Sequence, residues 1–284
     1  MNPYMNLVAG FARLVVDGRS IPLGGFPPLP RPKIAPDAPK AIFFAPHPDD
    51  ECIQGGLALR LFREAAWNVI NAPVTLGRLP ERKAGRLQEL KGACDYLGFR
   101  LAPLAPDGLD NINPAARTKD PAAWSQKVGA AVKILAAHRP RAIFFPHELD
   151  WNGTHIGVHH LVMDALKSVP DLNCYLVETE FWGQMQTPNL LVEYTAEQVA
   201  ELMAATSFHA GEVQRNPYHL LLPAWMQDNV RRGSELVGGQ GQAAAKFMFG
   251  QVYRLRRWNG SQIEDCFSSG SFLPASANAA SLFA

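Results

Sequence analysis

A short apolar run, AIFFA at residues 41–45, constrains the fold of this chain more than any other feature. Five consecutive apolar residues are typical of a β-strand that is buried on both of its faces. Strands of this kind belong to parallel sheets, because helices cover both sides of such sheets. A second run of the same kind occupies residues 141–146. The two runs therefore predict a sheet of mainly parallel strands.

Amphipathic helical patterns alternate with the apolar runs. Apolar residues recur at steps of three and four within residues 56–66, 81–97, 124–137 and 155–166, and further strands are predicted at 67–76 and 100–104. This alternation predicts an α/β fold: a Rossmann-like, doubly wound, mainly parallel sheet with helices on both faces. No GxGxxG segment follows a strand, so the sequence gives little support to dinucleotide binding.

The second half of the chain has weaker patterns. They predict a strand at residues 175–182, helices at 195–207, 223–236 and 243–253, and a polar loop at the rim of the site at 110–121. We divide the chain into a proline-rich arm at residues 1–38, a main domain at 39–260 and a tail at 261–284. Residues 1–20 can form a short amphipathic helix, whereas the tail is rich in Ser, Ala and Asn. We expect the tail to be poorly ordered or to lie on the surface.

Composition excludes several classes of partner. The 27 basic and 26 acidic residues leave a net charge of +1, which favours neither nucleic acid nor an anionic membrane. No apolar run approaches the ~18 residues of a membrane span, and no signal peptide is recognisable. The four cysteines lack CxxC spacing, so we expect reduced, mostly buried thiols rather than disulfides or a zinc site with thiolate ligands. We expect a cytoplasmic protein, and the arm makes a homo-oligomer plausible.

The first polar segment of interest, PHPDDE at residues 46–51, directly follows the AIFFA strand. In open α/β sheets the carboxyl ends of the strands border the ligand crevice. One imidazole and three carboxylates in this segment create a charge density that a bound dication would offset, and His and Asp are suitable zinc ligands. The alternative is a surface turn whose acidic residues cap the next helix.

The second segment, PHELDWNGTHIGVHH at residues 146–160, follows the second apolar strand. If the two strands are parallel neighbours, their exit loops meet at one edge of the sheet. His155 can then approach His47 and Asp50, and the three form a two-histidine, one-carboxylate set with open coordination positions. His155 and His159 share one helix face, four residues apart. The alternative for each histidine is a capping or surface role.

Together, PHPDDE and the THIG segment at residues 154–157 resemble the signature motifs of the PIG-L/LmbE-like deacetylases. These are zinc-dependent enzymes that remove acyl groups from N-acylated amino sugars and related amides. The resemblance implies one Zn²⁺ per chain on His47, Asp50 and His155, although other divalent metals also bind such nitrogen and oxygen ligands. It implies that Asp49 is the general base. Glu51 would orient the loop, and His159 would be a polar neighbour rather than a ligand.

Three further positions are interpreted through the resemblance. Arg86 forms an Arg-x-x-Glu pattern with Glu89 and is expected to reach the substrate; the alternative is an ion pair between the two on a helix surface. Asp107 is expected to bind sugar hydroxyls; the alternative is an aspartate that only forms a turn. Asn152 stands where the family usually has a histidine. An asparagine can donate a hydrogen bond to an oxyanion, but it cannot exchange a proton near neutral pH.

The resemblance therefore implies a metal-dependent hydrolase that removes an acyl group, acetyl in the simplest case, from a small N-acylated amino sugar or sugar conjugate. One alternative is an amidase that acts on a non-sugar or thiol-conjugate amide. Another is a weakly active member that only binds metal or sugar, because Asn152 replaces the usual histidine.

Overall fold

A central sheet organises the chain, and the computed structural model describes residues 2–284. The strands are β1 (Lys40–Phe43), β2 (Asn68–Asn71), β3 (Arg100–Leu101), β4 (Ala142–Pro146), β5 (Cys174–Thr179), β6 (Leu190–Tyr194), β7 (Phe249–Trp258), β8 (Ile263–Asp265) and β9 (Ser271–Leu273). The helices are α1 (Met5–Gly18), α2 (Asp50–Ile53), α3 (Gly56–Ala65), α4 (Pro80–Leu97), α5 (Pro114–Lys119), α6 (Pro121–His138), α7 (Gly153–Leu166), α8 (Ala196–Ser207), α9 (Ala210–Val213) and α10 (Tyr218–Leu236). A 3₁₀ helix at Ala279–Phe283 ends the chain.

The sheet has the strand order β3-β2-β1-β4-β5-β7-β6-β9, and β8 pairs with β7. The first five strands are parallel, in the order of a Rossmann-like sheet. Beyond them β7 runs antiparallel to both β5 and β6. The predicted fold class, a mainly parallel α/β sheet, is confirmed.

Both faces of β1 are buried, as its apolar run predicts. Ala41 and Phe43 contribute to the core that α3, α4, α8 and α10 cover. Ile42 and Phe44 contribute to the opposite core, which α6 and α7 cover. Because each face of the strand needs apolar side chains, the run has no alternating polar residues.

Helix α8 shows how local sequence sets an element. Its predicted start is confirmed: Thr195 and Gln198 form a capping box in which each side chain accepts a hydrogen bond from the other residue's backbone N–H. These two bonds satisfy donors that a helix start otherwise leaves unpaired. Helices α3, α4, α6 and α7 also lie where their periodicity predicts, within a few residues at each end.

The helix predicted at residues 243–253 is wrong. Residues 249–253 instead begin β7, which lies between β5 and β6 and pairs with both. Strand β6, for which no prediction was made, supplies one of the two partners. The pairing of β7 depends on strands that are far away in sequence, and the local spacing of apolar residues carries no information about them.

The expectation of a poorly ordered or surface tail is also wrong. Strand β9 pairs with β6, and the side chains of Ala279 and Phe283 are fully buried. The buried Arg60 guanidinium donates to the backbone carbonyls of Pro274 and Ala277, which attaches this segment to α3. The division into arm, domain and tail stays a prediction.

The remaining sequence predictions concern the rim and the N-terminus. The expected loop at residues 110–121 contains helix α5, which Asn113 caps by accepting from the N–H of Ala116. Helix α1 lies within the residues 1–20 where a helix was predicted, and the rest of the proline-rich arm that the structure describes has no regular secondary structure. Within residues 2–284, no helix combines the length and the apolar character that a membrane span requires.

Candidate active site

The candidate site lies at the carboxyl ends of β1 and β4, which are parallel neighbours with Phe43 opposite Phe144. The chain order reverses direction between these two strands, because β2 and β3 lie to one side and β5 to the other. Such a switch point leaves a crevice between the loops that leave the two strands. The predicted meeting of the two exit loops is therefore present.

His47, Asp50 and His155 form a compact group in this crevice. Asp50 Oδ2 lies 3.5 Å from His47 Nδ1 and 3.4 Å from His155 Nε2. One ligand atom from each of the three residues lies within 4.8 Å of the others. These separations are suitable for three ligands of one ion.

The polar atoms of this group fit a divalent metal ion. Both ring nitrogens of His155 are buried without a hydrogen-bond partner among residues 2–284. An unpaired buried nitrogen costs free energy, which coordination of a metal would recover. Imidazole and carboxylate are also the ligand types that zinc prefers outside thiolate sites. The residues present therefore match a divalent metal centre.

The electrostatics of the group favour a cation. Burial alone would raise the pKa of Asp50, but His155 and then His47 hold it far below its usual range. Burial alone would lower the pKa of His155, but Asp50 and Asp150 raise it to about 10. Burial is the main reason that the pKa of His47 is lowered. Negative charge therefore concentrates beside the His155 imidazole.

Asp150 is a neighbour of His155 that sequence reasoning missed. Its Oδ2 atom lies 3.5 Å from His155 Nδ1, and its Oδ1 atom accepts from the N–H of Asn152 at 2.8 Å. A carboxylate in this position fixes the orientation of a metal-binding imidazole. The available signal was an acidic residue five positions before the ligand histidine, in the same loop.

Asp49 lies next to the group but is not part of it. Its carboxyl group is buried and lines the same cavity as His47 and Asp50. Its backbone has φ 124°, a conformation that costs free energy in a residue with a side chain. Burial, and then the charge of Asp50, raises the pKa of Asp49 well above its usual range.

Glu51 holds the strained segment in place. Its Oε2 atom accepts from the N–H of Asp49 at 3.1 Å, and its Oε1 atom accepts from His209 Nε2 at 2.9 Å. Glu51 and His209 are both fully buried. Sequence reasoning missed His209, because a single histidine far from both motifs has no spacing that marks it.

Asn152 caps helix α7 and also lines the cavity. Its Oδ1 atom accepts from the N–H groups of Thr154 at 2.9 Å and His155 at 3.4 Å. Because Oδ1 is the acceptor, the amide NH₂ group remains as the donor.

The other predicted residues lie at different distances from the group. Arg86 lines the cavity and donates to the carbonyl of Pro48 at 3.1 Å. His159 lies outside the group, with its Nδ1 atom 3.1 Å from the carbonyl oxygen of Pro146. Asp107 is exposed in the turn before Gly108 and does not line the cavities at the site.

Two cavities open beside the group. The first, of about 220 Å³, is lined by His47, Asp49 and Asp50 and has an aromatic wall of Phe181, Trp182 and Tyr218. The second, of about 420 Å³, shares His47, Gly77 and Arg78 with the first. Its own lining combines the polar Lys83, Asp110, Asn111, Asn113 and Thr154 with the apolar Pro80, Leu109 and Ile112. Together they can hold a substrate larger than a single sugar-sized group.

Comparison with known families gives a match in the same region. The model of the family described as PIG-L, GlcNAc-PI de-N-acetylase, matches residues 42–166, which include both polar segments. Over these residues the chain is similar to the PIG-L family. A search of curated proteins found no significant match.

Solved structures share the fold of this chain at low sequence identity. The conserved protein TT1542 from Thermus thermophilus has a TM-score of 0.56 at 18% identity, over 76% of this chain and 93% of its own. The N,N'-diacetylchitobiose deacetylase from Pyrococcus horikoshii has a TM-score of 0.55 at 15% identity. The match covers 89% of this chain and 93% of the deacetylase. GalB, the 4-carboxy-2-hydroxymuconate hydratase from Pseudomonas putida, has a TM-score of 0.55 at 14% identity. The match covers 76% of this chain and 95% of GalB. At these identities the likeness establishes the fold.

Proposed function

We propose that this chain is a divalent-metal-dependent deacylase that hydrolyses the acyl amide of an N-acylated amino sugar or sugar conjugate. The grouping of His47, Asp50 and His155, with Asp49 beside them in one cavity, carries the proposal. The family match and the deacetylase among the similar structures support acyl transfer to water as the reaction. Acetyl is the expected acyl group.

His47, Asp50 and His155 are the proposed ligands, and Zn²⁺ is the expected ion. A dication bound there supplies a Lewis acid that polarises the acyl carbonyl and makes water more acidic. Asp150 Oδ2 lies 3.5 Å from His155 Nδ1, and Gln54 donates to Asp50 Oδ1 at 2.9 Å. These contacts hold the proposed ligands in place before an ion binds.

Asp49 is the proposed general base. Its carboxylate takes a proton from the attacking water while the water oxygen forms a bond to the acyl carbon. The carbon–nitrogen bond then breaks, and Asp49 returns the proton to the leaving amine. The products are a carboxylic acid and the free amino sugar. Glu51 keeps Asp49 aimed at the cavity through the backbone hydrogen bond between them.

Asn152 and Arg86 are proposed to contact the substrate. The Asn152 amide N–H can stabilise the negative charge that develops on the acyl oxygen, and Arg86 faces the same cavity. The binding of sugar hydroxyls by Asp107 stays a prediction, since its side chain lies in the exposed turn. His159 is proposed to support β4 through its contact with Pro146.

A second candidate function is a protein that binds metal or sugar without turnover. The cap that Asn152 provides to α7 favours it, because a residue that caps a helix needs no catalytic role to explain it. An amidase that acts on a non-sugar or thiol-conjugate amide is a third possibility within the same chemistry. The hydratase among the similar structures also shows that this fold supports more than one reaction.

Metal content and amine release, measured on the same preparations, test the proposal. We expect about one metal ion per chain and release of amine from N-acetylated sugars. His155→Ala should lose both the metal and the activity. Asp49→Asn should keep the metal and lose at least about 100-fold in kcat, since general base catalysis contributes 10²–10⁴-fold.

Each outcome separates the candidates. Metal without amine release from sugars or other amides would favour the binding protein. Amine release only from non-sugar amides would favour the amidase. Undiminished activity in Asp49→Asn would remove Asp49 from the base role, and the absence of metal under metal-replete conditions would refute the proposal.

A further inference from the structure

A third cavity, lined by arginine, adjoins the candidate active site. It measures about 200 Å³ and is lined by four arginines and one acid: Arg78, Arg82, Arg86, Arg215 and Glu212. It shares Arg78, Arg86, Glu212 and Arg215 with the cavity that contains His47, Asp49 and Asp50. A molecule bound at the candidate metal centre can therefore extend into it.

The charges around this cavity do not balance. Glu212 is buried, and its Oε1 atom lies 3.0 Å from Arg82 Nη2 and 3.8 Å from Arg86 Nη1, while its Oε2 atom accepts from Arg215. The lining of this cavity thus combines one carboxylate with four guanidinium groups. An excess of positive charge in a concave surface attracts anions, because the surrounding protein screens it less than bulk water does.

Arg78 is unpaired in the part of the chain that the structure describes. Its side chain makes no hydrogen bond or ion pair with any of residues 2–284, in contrast to Arg82 and Arg215, which contact Glu212. It lines all three cavities and therefore stands where they meet. An arginine in this position can present its hydrogen-bond donors to a bound molecule.

The backbone makes room for these arginines. Gly77 has φ +88°, and a Cβ atom there would clash with Arg86 Nη1. A side chain at residue 77 would therefore displace the Arg86 guanidinium from the wall that both cavities share. Arg86 Nε is buried without a hydrogen-bond partner among residues 2–284.

The other walls of the site carry no comparable excess. Phe181, Trp182 and Tyr218 form the aromatic wall of the first cavity. In the second cavity Lys83 pairs with Asp110 at 2.8 Å. The positive charge is therefore confined to one side of the site.

We infer that the substrate carries an anionic group, a carboxylate or a phosphate, beyond its acyl amide, and that Arg78 and Arg215 bind this group in the arginine-lined cavity. The inference rests on the proposed function, because the amide must occupy the candidate metal centre. Guanidinium groups bind both anions with paired hydrogen bonds.

Matched substrates test this inference. N-acetylglucosamine is the neutral reference, N-acetylglucosamine 6-phosphate carries a phosphate, and N-acetylmuramic acid carries a carboxylate. We expect kcat/KM to be at least about tenfold higher for one of the charged sugars, the least that one hydrogen bond to a charged group contributes. The charged sugar that is preferred identifies the anion.

Variants connect the preference to the named residues. Arg78→Gln and Arg215→Gln should each reduce the ratio of kcat/KM between charged and neutral sugars by about tenfold. Arg19→Gln, at an exposed position at the end of α1, is the matched control and should leave the ratio unchanged. Added salt should reduce the preference as well, because salt screens charges at this partly open cavity.

A binding measurement separates this inference from the proposed function. Glucosamine 6-phosphate and glucosamine are titrated calorimetrically into the purified protein and into Arg78→Gln. Tighter binding of the phosphate, lost in Arg78→Gln, supports the inference even if no acyl sugar is hydrolysed. Equal binding of both amines, or equal kcat/KM for neutral and charged sugars, overturns it.

Discussion

At the scale of single residues, Asn152 caps α7, and a catalytic role is proposed for the same side chain. Its oxygen accepts from the first N–H groups of α7, and its amide nitrogen is left to face the cavity. A histidine in its place could exchange a proton, but Asn is among the best helix caps. The residue that departs from the family pattern is thus explained locally by the start of α7.

Replacing Asn152 with aspartate separates the helix cap from the proposed donor role. Asn152→Asp keeps the cap, because aspartate accepts equally well at a helix start, but it removes the N–H donor. We expect the free energy of unfolding to change by less than about 0.5 kcal/mol and kcat to fall about 100-fold. Urea unfolding and steady-state kinetics on the same preparation measure both quantities. An unchanged kcat would show that the amide does not stabilise the reacting oxygen.

The strained backbone at Asp49 is also a feature of single residues. Glu51 binds the Asp49 N–H, and His209 in turn binds Glu51. Strain of this kind persists only where the surroundings hold it. His209 reaches the site from the start of α9 and thereby connects the second half of the chain to the PHPDDE segment.

At the scale of elements, the packing of α7 against the rim positions both His155 and the second cavity. A Cβ atom added at Gly157 would lie 2.5 Å from the carbonyl carbon of Ile112 and 2.6 Å from the nitrogen of Asn113. Ile112 and Asn113 line the second cavity. The absence of a side chain at Gly157 therefore sets how closely the rim approaches the helix that carries His155.

We therefore expect Gly157→Ala to destabilise the protein although alanine is the better helix former. Helix propensity alone would add up to about 1 kcal/mol of stability. The clash with the rim backbone should outweigh this gain and leave a net loss of about 1–3 kcal/mol. KM should rise because the cavity changes shape. Thermal unfolding and steady-state kinetics measure the two effects.

Gly129→Ala is the matched control for this prediction. Gly129 lies inside α6, and an added Cβ there meets nothing within 4 Å. The substitution should therefore stabilise the protein by about 0.5–1 kcal/mol and leave KM unchanged. Equal effects of the two substitutions would contradict the proposed packing of α7.

At the scale of the whole molecule, the C-terminal segment completes the core. The Phe283 ring is fully buried, with its centroid 5.2 Å from the Trp67 ring and 5.2 Å from the Tyr175 ring. Arg141, at the start of β4, donates to the carbonyl of Phe283. The end of the chain therefore covers the amino ends of strands whose carboxyl ends form the site.

Phe283→Ala should accordingly destabilise the whole domain, by about 3 kcal/mol, because it leaves a cavity beside two aromatic rings. Leu14→Ala, at an exposed position on α1, should change the free energy of unfolding by less than about 0.5 kcal/mol. Urea unfolding followed by circular dichroism measures both. Equal stability of the Phe283 variant and the unsubstituted protein would mean that the segment is not part of the folded core.

The exposed apolar side chains of helix α1 concern the assembly of whole molecules. Leu7, Val8, Phe11 and Leu14 are more than half exposed on its surface. Assembly of several chains through this arm stays a prediction, and size-exclusion chromatography with light scattering would test it.

The sequence by itself predicted the buried strands β1 and β4 and the starts of several helices, because burial on two faces and helix capping depend on neighbouring residues. It also placed His47, Asp50 and His155 together, since two parallel strands that end at one edge of a sheet must bring their loops together. Asp150 was within reach of the same reasoning, because it lies in the same loop as His155.

Only the tertiary structure decided the rest. It inserted β7 between β5 and β6, buried the C-terminal segment and brought His209 to Glu51. The arginine-lined cavity likewise combines residues from the loop after β2, from α4 and from the segment after α9. Local periodicity carries no information about these contacts, because each depends on which distant segments pack together. The motifs therefore located the proposed chemistry, and the packing of distant segments shaped the surface that would select the substrate.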